Sequence, residues 1–186
     1  CDYATQFLIH NLRGSFGLPA ENIATLSKAK SINDKYIGDQ KYNLMILNNI
    51  GHQYTEDGQF EDAAEALNEA ITKAKRIGRM HQLNLLTCNL GEIYLFTDKP
   101  AEAEDLLRTG IEGFSKSQTY YAAAFQGSLA MSQAKQGNFD ECETLLNDAE
   151  RILQEVIPLE LPKLYAQRGI TQHLAGDRTA AEASHQ

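Results

Sequence analysis

The sequence has no tryptophan, only four prolines and three cysteines among 186 residues, and no apolar run long enough to span a bilayer. Each shortage removes a class of protein. Spanning a membrane takes roughly 20 consecutive apolar residues, so insertion as a helix is excluded, and no secretory signal pattern opens the chain. Cys88 and Cys142 stand alone without CxxC spacing or a dense framework, which fits reduced, partly buried thiols of a cytoplasmic protein and argues against a metal site. Cys1 in place of methionine reads as the cut edge of a fragment of a larger protein, with a lipoprotein start as the alternative. Basic residues are also scarce: 17 Lys and Arg face 25 Asp and Glu, a net charge of -8. Such a surface repels phosphate backbones and anionic lipid, so nucleic acid and membrane are not expected partners. The local exception, Lys73, Lys75, Arg76 and Arg79, reads as the solvated end of a helix.

Catalytic patterns are lacking as well. There is no GxSxG and no HExxH, and "GSFG" at Gly14 to Gly17 has neither the lysine nor the preceding strand of a phosphate-cradling loop. His52 and Glu56 lie one helical turn apart, but a metal needs three or four ligands and none is spaced nearby. No catalytic residue, metal site or cofactor is assigned.

What the chain has is self-similarity. "NIGHQYTEDGQFEDAAEALNEAI", from Asn49 to Ile71, returns at an offset of 40 as "NLGEIYLFTDKPAEAEDLLRTGI", from Asn89 to Ile111. Gly51 falls on Gly91, Tyr54 on Tyr94, Ala63 on Ala103 and Leu67 on Leu107. A further step of 39 reaches Ala130, Gln133, Cys142 and Leu146, and another reaches Gly169 and Ala181. Backwards by 41 the signal weakens to Gly17, Leu26 and Ala29. The units run about 1-40, 41-80, 81-119, 120-158 and 159-186, the last cut short, as one repeat domain of about four and a half repeats.

Within a unit, apolar residues recur every three or four positions on both sides of a turn, which predicts two amphipathic helices. Helices are expected at 41 to 57, 59 to 78, 82 to 97, 100 to 115, 119 to 136, 139 to 156 and 161 to 175, with another starting near Asp177, and with no strands. Gly58 suits the left-handed residue that ends a helix, Pro100 suits a first helical turn, and Asn138 with Glu141 has the spacing of a capping box. A mid-helix glycine costs about 1 kcal/mol against alanine, so Gly51 and Gly91 predict a close approach of the partner helix at Ala63 and Ala103. Tyr54 and Tyr94 read as core between the helices.

The residues "NIGHQY…GQF…A…L…A" and "NLGEIY…PAEA…LL…G" resemble the tetratricopeptide repeat, in a longer variety of about 40 residues in place of 34. The resemblance implies an all-α, right-handed superhelical solenoid of antiparallel helix pairs whose first helices line a concave groove that binds a protein or peptide. Projected onto this chain, the groove takes in Asn49, Asn89, Ser128 and Gln167, a column polar throughout. It also takes in His52, Glu92 and Met131, and Glu56, Phe96, Lys135 and His173. Side-chain amides in the first column can bond both N–H and C=O of an extended peptide. Family members that grip a C-terminal carboxylate use lysine or arginine nearby, whereas Asn48, Cys88 and Gly127 stand there in this chain. Longer repeats of this kind occur in bacterial signalling and transcription regulators and in cargo adaptors, so a sensory or scaffolding role in a regulatory protein is implied. Self-association through the C-terminal end and small-molecule effector binding are the alternatives.

Overall fold

The structure, a computed structural model, describes residue 6, residues 18–114 and residues 118–176. The described residues are helical, with no strand among them. The helices are α1 (Pro19–Ile32), continued by a π-helical turn at Asn33–Ile37, α2 (Gln40–Glu56), α3 (Phe60–Arg76), α4 (Met80–Phe96), α5 (Pro100–Glu112), α6 (Thr119–Lys135), α7 (Cys142–Val156) and α8 (Leu161–Leu174). A 3-10 turn at Pro158–Glu160 leads into α8. Seven of the eight lie on the seven fully predicted spans. The eighth, α1, occupies the weak first unit: Leu26 and Ala29 are fully buried in it, but its other positions carry too little of the repeat to announce a helix. The "GSFG" segment, Ala181 and the helix expected near Asp177 lie outside the described residues.

Two compact units divide the chain, residues 1–86 and 87–186. In the first, Leu26 and Ala29 of α1 pack with Ile46 and Ile50 of α2 and with Ala66 of α3, flanked by Tyr42 and Tyr54. The reading of Tyr54 as core therefore holds. In the second, Ala123, Ala130 and Ala134 of α6 meet Cys142, Leu146, Ala149 and Leu153 of α7 and Leu164 of α8. The alanine face of α6 lets neighbouring backbones come close, and the leucines fill the space between them.

The turns follow the expected chemistry with one exception. Gly58, at φ 75°, ends the α2 turn in the left-handed region, and Gly137, at φ 81°, does the same after α6. Between α4 and α5 this position is Asp98, at φ 56°, a conformation that costs a residue with a Cβ about 1–2 kcal/mol. Pro100 opens α5 as predicted. The capping box at Asn138 and Glu141 does not form: α7 starts three residues later than expected, at Cys142, with no side-chain cap on its N-terminus. Instead Glu141 turns towards Arg108 and Gln133, which hold its carboxyl below the usual carboxylate range. A charged partner on another helix offers more than the local backbone amide, and the cap is forgone.

Candidate functional site

Two regions of first helices carry the groove residues, one in each compact unit. In the second unit, α4, α6 and α8 are tied by polar contacts at the positions of the predicted column. Gln167 Nε2 donates to Ser128 Oγ at 2.7 Å. Ser128 in turn donates to the Glu92 carboxylate, which forms an ion pair with Lys163 at 2.6 Å. The Lys163 ammonium also lies 5.2 Å from the centre of the Phe125 ring. Ser128 is fully buried and Gln167 nearly so, and they use these hydrogen bonds on each other. Periodicity placed them in one column correctly, but it could not show that they lie within hydrogen-bond reach. Asn89 is half-buried on α4, as is Met131 on α6. Phe96 is 60% exposed, His173 is exposed, and Lys135 pairs with Asp98 at 3.0 Å.

Cys88 lies beneath this network. Burial, and then the charge of Glu92, push its thiol far above the ordinary range, with Lys163 opposing. A thiol held protonated is a poor nucleophile and a poor metal ligand, so the core reading of Cys88 stands. Cys142, also buried and free, donates to the Ala130 carbonyl at 3.3 Å.

In the first unit His52 and Glu56 are both exposed and 3.5 Å apart, a solvated pair. No group of three or more metal-ligating side chains occurs among the described residues. Asn49 is half-buried on α2. Next to this pair, on the same face of α2, a recess of about 380 Å³ opens between α2 and the start of α4. Leu44, Met45, Leu85 and Leu86 form its apolar lining, together with Tyr42. Asn48 and Gln82 contribute amides, Lys41 contributes a cation from α2, and Arg79 contributes one from the connection just before α4. Met45 remains 38% exposed, a large apolar side chain open to solvent at the mouth.

Most of this recess is absent from the predicted groove. The signal was present, because Lys41, Met45 and Asn48 precede His52 by eleven, seven and four residues, all on one helical face. The reading of Lys73, Lys75, Arg76 and Arg79 as a solvated helix end holds for Lys73, Lys75 and Arg76, in the last turn of α3, and needs correcting for Arg79. Lys73 pairs with Glu69 at 3.3 Å, Arg76 reaches Gln40 at 3.4 Å, and Arg79 lines the recess. Gly78, at φ 68°, ends α3 and turns the chain so that Arg79 faces α2 instead of continuing along α3.

A family model for the tetratricopeptide repeat matches residues 85–109 and 123–148, the α4–α5 and α6–α7 pairs. These two helix pairs are tetratricopeptide repeats. Comparison with curated proteins finds no significant match. Among solved structures, the chain resembles BtubC (BKLC) from P. vanneervenii at 20% identity and a TM-score of 0.74, covering 94% of this chain and 73% of that one. It also resembles the TPR-like repeats of a Podosopora anserina putative kinesin light chain at 18% identity and a TM-score of 0.70, covering 97% and 90%. The apo form of RapI is similar at 11% identity and a TM-score of 0.74, covering 98% and 79%. At these identities the likeness establishes the fold. No catalytic family is indicated, and among the described residues no helix is long and apolar enough to cross a membrane.

Proposed function

We propose that this chain is a protein-interaction scaffold that receives an extended peptide segment of its partner on the first-helix face of the first unit. The observation that carries the reading is the recess between α2 and α4. It has the size range of ligand sites, an apolar lining, and amides and cations at its edge. An open concavity of this kind suits a side chain presented by another protein better than a reacting small molecule, because it neither encloses its occupant nor holds a nucleophile and base together. In the second unit, Ser128 and Gln167 of the polar column hydrogen-bond to each other.

The length of the repeats, about 40 residues, supports a sensory or scaffolding segment of a larger signalling or regulatory protein. The buried free thiols support a cytoplasmic setting. The test is selection of a random dodecamer peptide library displayed on phage against the wild-type chain and against Met45→Asp, with folding of both checked by circular dichroism. The scaffold reading expects peptides that bind the wild type and lose at least about tenfold in affinity on the variant. Failure to recover any peptide whose binding depends on Met45 would remove the recess as a docking site.

A further inference from the structure

We infer that the recess selects an acidic peptide: an extended segment in which an apolar side chain is followed or preceded closely by aspartate or glutamate. The inference rests on the scaffold reading above and adds the chemistry of the partner. Three features of the lining carry it.

The first is charge. In a chain of net charge -8, the residues lining this recess include two cations and no acid. Among the described residues neither the Lys41 ammonium nor the Arg79 guanidinium has a carboxylate partner, although ten ion pairs involving other residues occur there. The nearest acid in sequence, Asp39, is committed elsewhere: its carboxylate accepts the Lys41 and Tyr42 backbone N–H groups at 2.7 and 3.3 Å and caps α2. Two cations at an apolar hollow, neither paired with a carboxylate among the described residues, present an incoming carboxylate with a fork from Arg79 and a point charge from Lys41.

The second is the apolar lining. Met45 of α2 and Leu85 of α4 both line the recess, and Met45, unbranched and polarisable, adapts to the shape of what enters. A volume of about 380 Å³ accommodates one large apolar side chain with its adjoining backbone. The third is Gln82, whose amide offers a donor and an acceptor to a peptide unit of that backbone. The chain's net negative charge adds discrimination, since on average its surface repels an acidic segment.

The dodecamer library tests the inference directly when it is also selected against the double variant Lys41→Glu with Arg79→Glu. On the wild type, Asp and Glu should be enriched at least about threefold over the starting library within two or three positions of an apolar residue. An acidic peptide so recovered should bind the double variant about tenfold or more weakly, and its affinity for the wild type should fall as salt rises. On the double variant the preference should reverse towards Lys and Arg, which a merely unfolded protein would not show. Met45-dependent peptides without acidic enrichment, or without reversal on the charge-swapped variant, would overturn the acidic specificity and leave the scaffold reading intact. Absence of any Met45-dependent peptide would overturn both.

Discussion

At the scale of single residues, the repeated glycines test the packing account most sharply. A Cβ added at Gly91 would lie 2.8 Å from Leu107 Cγ and 3.2 Å from the Ala103 carbonyl oxygen, neither of which can swing away. At Gly51 the nearest atoms are Leu67 Cδ2 at 3.0 Å and Leu67 Cγ at 3.1 Å, and the Ala63 carbonyl oxygen is 3.5 Å away, the last two each a few tenths of an ångström looser than at Gly91. Alanine gains about 1 kcal/mol of helix propensity at either site, so the outcomes should separate. Gly91→Ala should be destabilised by roughly 1–3 kcal/mol of overpacking, and Gly51→Ala should be close to neutral, as read by urea denaturation. Equal effects would show that the helix pairs do not pack as described. Cys88 gives a second residue-scale prediction. Its folded thiol holds its proton above the unfolded value, so above about pH 9 the unfolded chain binds fewer protons than the native one. Stability from this group is fully present below that pH and declines above it. Cys88→Ser should flatten the alkaline decline, and native Cys88 should resist iodoacetamide at pH 8 until the chain is unfolded.

At the scale of helices, the sequence was most informative where its period was strongest. Gly58, Pro100 and the buried stripe of Ala63, Leu67 and Ala70 defined the α2–α3 and α4–α5 pairs almost to the residue, because local turn chemistry and burial agree there. Helix α1 was not legible, since only Leu26 and Ala29 keep the pattern and its continuation is a π-helical turn. There Asn33 bonds the Asp39 backbone through both its amide nitrogen and oxygen, a tie that no periodicity announces. The start of α7 was misplaced because Glu141 serves Arg108 and Gln133 instead of its own helix. In the candidate site, the pairing of Ser128 with Gln167 lay within one predicted column, but the recess was not legible. Of its two cations one comes from α2 and the other from the connection after the turn at Gly78. The tie across α4, α6 and α8 should be measurable. Ser128→Ala removes the acceptor of buried Gln167 and a donor to Glu92, at a cost of about 1–3 kcal/mol by urea denaturation. No loss would mean that solvent replaces both bonds.

At the scale of the whole molecule, a chain built from repeated helix pairs has no catalytic constellation among its described residues, and what varies from repeat to repeat is the first-helix face. In the second unit that face carries Ser128, Gln167, Glu92 and Lys163 tied to one another, and in the first it carries the recess. The three methionines fall conveniently on this division: Met45 lines the recess, Met80 begins α4, and Met131 lies on α6 in the second unit. Labelling their methyl groups with carbon-13 and titrating a library-selected acidic peptide reads the docking site directly by NMR. The account predicts that the Met45 methyl signal shifts saturably with peptide while Met131 stays in place. A bound peptide that shifts Met131 and leaves Met45 unmoved would contradict it.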